Sequence, residues 1–230
     1  MSDFRFSMNI ISAFLAVSVS NVSDACDRLA IDGAVRGIFP LFPCAKIAGH
    51  ATTLKLARPS ERMSDSPVTG TLQAIALGGP GAVLAVDGRG NPEVNCFGGI
   101  AGATAKHIGL AGCVADGPMR DVDEYKAYEL PVYGRGIVQQ AIRGRSALEG
   151  FNIPVMIGGV AVIPGDLIMA DENGAIVVPR ARVEEVVHIA SIIRATEDRI
   201  IGAIRAGVDP IQAHTQVGYD DLLKPRMEVA

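Results

Sequence analysis

The residues best suited to chemistry lie between Phe97 and Asp121, in the run F-G-G-I-A-G-A-T-A-K-H-I-G-L-A-G-C-V-A-D-G-P-M-R-D. Two adjacent glycines lead into small residues that predict a helix. The first N–H groups of a helix have no partner within it, so the amides of the Gly98 to Ala101 segment should be free to bind a carboxylate or phosphate. The alternative is an ordinary turn before a helix, and the G-x-G-x-x-G spacing of a dinucleotide-binding loop is absent.

Arg120 and Asp121 form the second part of this candidate site. They follow a predicted strand that ends at Ala115, and ligands of open α/β sheets bind outside the carboxyl ends of strands. A guanidinium binds a carboxylate or carbonyl oxygen, and an aspartate is a hard ligand for a divalent cation. A lone Arg-Asp pair is more often a surface ion pair. Its position beside the glycine pair favours a combined anion and metal site.

Glu197 is a third candidate because it interrupts the apolar stripe of a long C-terminal helix. It lies four residues from both Ile193 and Ile201. A carboxylate on a buried stripe must be paired or lie near a cation. Pairing with Arg194 or Arg199 at the edge of the stripe is an equally good interpretation.

Two further side chains near the motif are not predicted to react. Lys106 is the only nearby candidate for a Schiff base, and nothing indicates the desolvated pocket that would activate its amine. His107 lies near the end of the predicted helix, away from the anion-binding start, so a structural role is expected. The sequence contains no obvious dedicated base.

Alternating strands and helices are predicted to position these residues. Short apolar runs end in turn signals such as Asp-Gly, and small-residue or amphipathic stretches separate them. Such spacing indicates parallel strands joined by right-handed crossovers. The predicted strands are 82–86, 111–115 and one starting at Pro131, and the predicted helices are 100–108, ended by Gly109, and 122–130.

The remaining chain is expected to complete one domain over residues 1–230, with an N-terminal helical segment and a C-terminal helix plus tail. After Gly158, three strands joined by tight turns are predicted, followed by the long helix. The last twenty or so residues should pack on a neighbour or stay mobile. The other predicted elements are a helix over 21–30 capped by Asn21, an extended strand over 45–56, a surface loop from Ser60 to Ser66, a helix over 71–77, strands over 160–163, 167–170 and 175–178, and the long helix over 182–206.

Composition narrows the class of protein. The chain has 230 residues, 49% of them hydrophobic and 20% charged, so disorder is excluded as its main state. A net charge of -4 gives no electrostatic footprint for nucleic acid or an anionic membrane. The 4 cysteines form no C-x-x-C pair, which favours free thiols in a reducing compartment over a zinc site or a disulfide framework. The apolar stretch from Ile10 to Val19 is too short to span a bilayer, so a cytoplasmic protein is predicted.

The A-D-G-x-x-R-D ending of the run resembles the 4-hydroxy-4-methyl-2-oxoglutarate aldolase and ribonuclease-regulator family. N-V-S-D-A near Asn21, G-x-V-L-x-V-D around Val83 to Asp87, and P-G-D-L-I-x-A-D-x-x-G-x-x-V-V-P from Pro164 to Pro179 are also similar to it. The likeness extends from about residue 20 to residue 205.

The resemblance implies a fold and an activity. The fold would be a layered β/β/α swivelling-domain-like (phosphohistidine-domain-like) sandwich forming a ring-shaped trimer or a hexamer. Aldolase-branch members cleave 4-hydroxy-4-methyl-2-oxoglutarate or 4-carboxy-4-hydroxy-2-oxoadipate to pyruvate, decarboxylate oxaloacetate, and use Mg²⁺ or Mn²⁺. By position, Asp121 would bind the metal and Glu197, from the same or an adjacent subunit, would reach it through water. The groups that would hold the 2-oxo acid are Arg120 and the amides of Gly98, Gly99, Ile100 and Ala101.

The sequence departs from the aldolase branch at one position. Members of that branch often carry an acidic residue where this chain has Gly99, which leaves the substrate open. In the regulator branch the metal-binding aspartate is commonly replaced, so Asp121 favours an enzyme over a non-catalytic regulator of an RNA-processing nuclease. A methyltransferase, a label that some members carry, is disfavoured because no glycine-rich loop with a following acidic residue suggests the required cofactor pocket.

Overall fold

A computed structural model describes residues 5–59 and 66–224; apart from Ser66, the predicted loop from Ser60 to Ser66 lies outside these ranges. The described elements form a mixed α/β fold. The helices are α1 Met8–Leu15, α2 Val19–Arg28, α3 Pro67–Gly78, α4 Gly99–Ile108, α5 Val122–Ala127, α6 Val183–Arg205, α7 Pro210–Thr215 and α8 Tyr219–Leu223. The strands are β1 Phe39–Pro40, β2 Ile47–Ala57, β3 Val83–Asp87, β4 Gly112–Ala115, β5 Val132–Gly134, β6 Ala147–Phe151, β7 Val155–Ile157, β8 Val160–Val162, β9 Leu167–Asp171 and β10 Gly174–Val178.

One large sheet organises the molecule, with the strand order β1-β5-β4-β3-β2-β9-β10. The pairs β2–β3, β3–β4 and β4–β5 are parallel, which confirms the prediction from the alternating elements. Strand β9 is antiparallel to both β2 and β10, and β6 pairs with the second half of β2. Strands β1 and β10, at the two ends of the order, contact one another, so the sheet curls into a nearly closed barrel.

The strands are buried on both faces because successive side chains point to different cores. Along β3, Val83 and Ala85 face the interior of the barrel, whereas Leu84 and Val86 pack beneath α3 and α4. The third core lies between the sheet and α1, α2 and α6, where Phe14 and Ile193 are fully buried. The site described below belongs to the α3–α4–α5 side.

The structure corrects three predicted details. Ser18, not Asn21, caps α2: the Ser18 hydroxyl accepts from the Asn21 amide at 3.0 Å, and the Asn21 side chain accepts in return from the Ser18 amide at 3.1 Å. Strand β8 does not join β9 but pairs with β7, a strand that was not predicted. Helix α3 begins at Pro67, four residues before its predicted start, because Ser66 caps it and proline fits its first turn.

The described C-terminal segment packs against helices of the same chain. Where a tail was predicted, α7 packs on α6 and α8 packs on α2. The Arg28 guanidinium donates to the Leu222 carbonyl oxygen at 2.5 Å, and Tyr219 and Leu222 cover the α2–α6 core.

The N-terminal apolar stretch forms the end of α1 and the start of α2. Neither helix, nor any other in residues 5–59 and 66–224, is both long and apolar enough to cross a membrane by itself. Helices α1 and α2 reach that length and composition only together, across a bend of 104°.

The cysteines are all free thiols, as predicted. Burial raises the pKa of Cys26 and of Cys96 to about 12. Thiols with such a raised pKa are protonated at neutral pH and poor nucleophiles, so they fill the core and do not react.

Candidate active site

The loops that follow β3 and β4 build the site. Both strands are parallel, so their carboxyl ends lie at the same edge of the sheet. Backbone hydrogen bonds join the two loops: the Cys96 amide donates to the Pro118 carbonyl at 2.9 Å, and the Arg120 amide donates to the Phe97 carbonyl at 3.3 Å. These bonds hold the start of α4 against the segment that carries Arg120.

Asp121 connects the two helices at this edge. Its Oδ2 atom accepts from the Gly99 amide at 2.8 Å, which satisfies one of the free N–H groups at the start of α4. The backbone of Asp121 is left-handed, with φ of 61°, a conformation that aspartate and asparagine adopt more readily than most residues. Of the predicted anion-binding amides, Gly99 is therefore occupied by Asp121. The amides of Ile100 and Ala101 donate to no protein acceptor within the described ranges.

Arg120 lies directly beside this carboxylate. Its Nε atom is 3.3 Å from Asp121 Oδ2, close enough for an ion pair. The N–H bond does not aim at that oxygen, however, so Nε forms no hydrogen bond in the described part of the chain. About a third of each side chain is exposed, 31% for Arg120 and 33% for Asp121. The guanidinium thus keeps donors for a second anion.

These groups line one cavity of about 300 Å³, near the small end of the range for ligand pockets. Asn95 forms part of its wall, is 3% exposed, and has an Oδ1 atom without a partner among the described residues. A buried amide oxygen without a donor costs about 1–3 kcal/mol, so its place beside a cavity indicates that a bound molecule or water completes it. The lining residues are Val68, Thr71, Asn95, Cys96, Phe97, Gly98, Gly99, Ile100, Ala101, Arg120, Asp121, Glu124, Ile142 and Arg143.

Glycine at position 98 leaves room for the side chains around it. A Cβ there would lie 3.3 Å from Asp121 Oδ2 and 3.4 Å from both Arg120 Nε and Asn95 Nδ2. A side chain at this position would therefore crowd the guanidinium, the carboxylate and the amide, which would have to shift by a few tenths of an ångström.

Glu124 supplies a carboxylate that the sequence analysis missed. A Cβ at position 99 would lie 2.1 Å from Glu124 Oε2, so the Glu124 carboxylate fills the space that a side chain at Gly99 would take. The Tyr128 hydroxyl donates to the same oxygen at 3.1 Å. Although position 99 is glycine and not an acidic residue, Glu124 therefore places a carboxylate in this part of the cavity. Glu124 could have been predicted from the sequence, because it lies three residues after Asp121 and residues with this spacing share a helix face.

Buried aromatic packing fixes α5 against α4. The Tyr125 hydroxyl donates to the Phe97 carbonyl at 2.9 Å, and the two rings lie 5.6 Å apart. Gly102 makes room for the Tyr125 ring, because a Cβ there would lie 2.7 Å from Cε1. Burial raises the pKa of Tyr125 well above its ordinary value, so its hydroxyl stays a hydrogen-bond donor and does not titrate near neutral pH.

Other acidic residues at the strand ends have structural roles. Asp87 accepts from the amides of Arg89 at 3.0 Å and Met156 at 3.2 Å. Asp116 pairs with Arg135 and accepts from the Gly158 amide at 2.8 Å. Asp121 differs from both because only one of its carboxylate oxygens has a hydrogen-bond donor within the described residues.

Glu197 lies apart from this cavity within the chain. Its Oε2 atom accepts from Asn21 Nδ2 at 2.7 Å, and its Oε1 atom accepts from the Tyr219 hydroxyl at 2.7 Å. The alternative interpretation, pairing with Arg194 or Arg199, is wrong: Arg194 pairs with Asp198, and Arg199 donates to Thr196. One chain therefore brings Gly98, Gly99, Ile100, Ala101, Arg120 and Asp121 together but not Glu197.

Lys106 and His107 occupy the last turn of α4. That is the opposite end of the helix from Gly99, as predicted for His107. Lys106 is exposed and lines a different cavity with Phe42 and Glu129, so it is not placed to form a Schiff base with a molecule beside Arg120.

The pKa of Asp24 is raised by its burial and by the acidic residues near it. Burial, followed by repulsion from Glu197 and Asp27, raises the pKa of Asp24 above 3.8. Between 3.8 and the raised pKa the folded protein holds a proton that the unfolded chain has lost. The free energy of unfolding therefore falls as pH rises through this window, and the loss persists at neutral pH.

We expect Asp24→Asn to raise Tm near neutral pH by about 1–3 °C, because it removes a charge that is disfavoured by burial and by repulsion from Glu197. The gain should disappear below pH 3.8, where the carboxyl is protonated in both states. Calorimetry across this pH range measures the effect, with Asp123→Asn as a control that makes the same charge change at an exposed position of α5, away from Asp24. A pH-independent gain, or an equal gain from the control, would contradict the assignment.

Both the sequence and the fold are similar to those of known proteins. A family model described as RraA-like, Aldolase/RraA, matches residues 19–177. A protein of Halalkalibacterium halodurans that is named provisionally as a 4-hydroxy-4-methyl-2-oxoglutarate aldolase is 30% identical over 209 residues, which are 91% of this chain and 95% of that protein. Protein DlpA of Legionella pneumophila is 30% identical over 213 residues. Those residues are 92% of this chain but 34% of DlpA, so the chain spans about a third of that protein.

The fold also resembles a solved structure. Streptomyces coelicolor RraAS2, described as an unusual member of the RNase ES inhibitor RraA protein family, superposes with a TM-score of 0.76. Its sequence is 28% identical, and the match covers 84% of this chain and 96% of that one.

Proposed function

Because the chain belongs to the RraA-like (Aldolase/RraA) family, we propose that it is a divalent-metal-dependent aldolase that releases pyruvate. Its substrate would be 4-hydroxy-4-methyl-2-oxoglutarate or 4-carboxy-4-hydroxy-2-oxoadipate, with decarboxylation of oxaloacetate as a side activity. The name of the Halalkalibacterium relative supports the first of these substrates. The proposal includes a cytoplasmic ring-shaped trimer or hexamer and the swivelling-domain type of β/β/α layering.

One observation carries the proposal: a guanidinium, a carboxylate and free helix amides line the same cavity. A 2-oxo acid presents a carboxylate and an adjacent carbonyl oxygen, which match the donors of Arg120 and the amides of Ile100 and Ala101. The Nε atom of Arg120 lies 3.3 Å from Oδ2 of Asp121, so one small keto acid could contact both side chains.

The donor set fits a magnesium or manganese ion. Asp121 has a carboxylate oxygen to which no described residue donates, and Glu124 adds a second carboxylate to the same cavity. No group of three or more His, Cys, Asp or Glu side chains within residues 5–59 and 66–224 could hold a metal alone. Mg²⁺ commonly binds through one or two carboxylates and keeps several waters, so Asp121 with Glu124 nearby is sufficient. A bound cation would supply positive charge close to the 2-oxo group of the substrate.

The protein groups have separable tasks in the proposed reaction. Arg120 stabilises the negative charge that develops on the 2-oxo oxygen as the bond between C3 and C4 breaks. The amides of α4 orient the substrate carboxylate. The same stabilised pyruvate enolate arises from loss of CO₂ from oxaloacetate, so one arrangement of charges accounts for both reactions. A water beside Arg120 would accept the proton of the substrate hydroxyl and return one to the enolate carbon.

A non-catalytic regulator of an RNA-processing nuclease is the second candidate. The likeness to RraAS2, a member of the RNase ES inhibitor RraA protein family, favours it. A regulator would bind a nuclease tightly and release no pyruvate. A regulator has no need of a half-buried arginine beside an aspartate at a cavity, which is why we rank the enzyme first.

We expect the purified protein to release pyruvate from 4-hydroxy-4-methyl-2-oxoglutarate and from oxaloacetate in a lactate dehydrogenase-coupled assay with Mg²⁺. Thorough EDTA treatment should lower turnover by at least about 10²-fold, and added Mg²⁺ or Mn²⁺ should restore it. Turnover that survives chelation would eliminate the metal mechanism. Absence of pyruvate release with either substrate, together with tight binding to a nuclease, would favour the regulator.

A further inference from the structure

Arg143 is held at the rim of the cavity by an anchored loop. The loop connects β5 to β6, and the neighbouring Ile142 is buried in the α3–α4–α5 core. A backbone hydrogen bond of 3.2 Å from the Asn95 amide to the Gln140 carbonyl ties the loop to the wall of the cavity. The Arg145 amide donates to the Ile142 carbonyl at 3.0 Å, which closes a turn around Arg143. The position of Arg143 beside the cavity is thus set by the fold.

The Arg143 guanidinium has no protein partner within residues 5–59 and 66–224, although it lines the cavity. The other arginines of the same loop are engaged. Arg135 pairs with Asp116, and Arg145 donates to the Ala141 carbonyl at 3.3 Å. An arginine that lines a ligand cavity and has no partner among the described residues is available to an anion from outside.

The cavity therefore offers cationic groups at two depths. Arg120 is 31% exposed and stands next to Asp121 at the start of α4, whereas Arg143 is exposed and lies at the rim. Asn95, in the wall of the same cavity, presents a buried oxygen without a partner among the described residues, an independent indication that a molecule binds there. A ligand with negative charge at both ends would match this distribution, and one with a single carboxylate would not use Arg143.

We propose that Arg143 is a specificity-determining residue that binds a second carboxylate of the substrate, remote from the 2-oxo acid end. Arg143 thereby selects the proposed substrates, which all carry a second carboxylate, against 2-oxo acids with a neutral remote end. This inference rests on the proposed function, because it assumes that the 2-oxo acid end lies at Arg120.

The test compares Arg143→Gln with Arg145→Gln, which makes the same charge change in the same loop outside the cavity. Steady-state kinetics would use 4-hydroxy-4-methyl-2-oxoglutarate, which has a remote carboxylate, and 4-hydroxy-2-oxopentanoate, which has none. Inhibition by pyruvate, which carries only the 2-oxo acid end, provides a binding measurement that is separate from turnover.

Arg143→Gln should raise KM for the dicarboxylate about 10-fold and leave kcat within about twofold, since the lost contact is equally present in substrate and transition state. KM for the monocarboxylate and the inhibition constant of pyruvate should stay unchanged, as should all constants of Arg145→Gln. Arg143→Lys should recover part of the loss.

Two results would overturn the inference in distinguishable ways. If the wild-type protein turns over both substrates and Arg143→Gln alters neither KM, or alters both equally, Arg143 does not select the remote carboxylate and the proposed function stands. If the wild-type protein releases no pyruvate from any 2-oxo acid, the proposed function fails and the inference fails with it.

Discussion

Asp121→Asn is expected to lower kcat/KM for pyruvate release by about 10³-fold, which corresponds to about 4 kcal/mol of transition-state stabilisation. Asparagine keeps the left-handed backbone at this position and an oxygen that can accept from the Gly99 amide. The fold and the start of α4 should therefore survive, while the charge needed by the metal is lost. The affinity for Mn²⁺, measured by calorimetry, should fall at least about 10-fold.

Asp123→Asn is the matched control for this variant. Asp123 is exposed in the first turn of α5, two residues from Asp121, and does not line the cavity. Its substitution should leave both turnover and Mn²⁺ affinity within about twofold, because surface charges contribute little. Full activity or unchanged Mn²⁺ affinity in a folded Asp121→Asn protein would show that Asp121 is not the metal ligand.

Arg120→Lys should lower kcat/KM by about 10²- to 10³-fold although it preserves the positive charge. A guanidinium presents a planar fork that can contact a carboxylate and a carbonyl together, whereas an ammonium acts as a point charge. The side chain of Arg120 also packs against Asp121, with 3.3 Å between Nε and Oδ2, and lysine has no donor at the Nε position. Kinetics with oxaloacetate and Mg²⁺ measure the loss.

Arg145→Lys provides the control for Arg120→Lys, because Arg145 lies outside the cavity. Inhibition by pyruvate separates binding from chemistry: it should weaken in Arg120→Lys and stay unchanged in the control. An active Arg120→Lys enzyme with normal pyruvate inhibition would mean that a single positive charge is enough and that the fork has no special role.

The sequence predicted the parallel part of the fold because its signals are local and repeated. Each buried run, such as 82–86 or 111–115, ends at a turn pair and is followed by a helical stretch, and such units pair in parallel. Gly109 ends α4 in a left-handed conformation with φ of 85°, the signal from which the end was predicted. Once these strands lie side by side, the segments around Gly99 and Arg120 must meet at one edge.

The missed features depend on contacts between distant segments. Strand β7 has three residues and is defined by its pairing with β8, not by a pattern of its own. Arg143 reaches the cavity because Ile142 is buried in the core and the loop bonds to Asn95, which no local pattern encodes. Glu197 stood out as a carboxylate on an apolar stripe, but its partners Asn21 and Tyr219 come from opposite ends of the chain.

The pairing of β2 has a consequence for biosynthesis. One side of this strand is completed by β3, whereas the other side waits for β9 at residues 47–50 and for β6 at residues 54–57. While a ribosome is still translating the region before residue 147, that second side has no partner in the chain already made. An eleven-residue, almost wholly buried strand left open in this way is prone to bind the edge of another nascent polypeptide. Truncation before β9 should therefore yield aggregates, and the late arrival of the β9–β10 hairpin sets the moment at which the barrel can close.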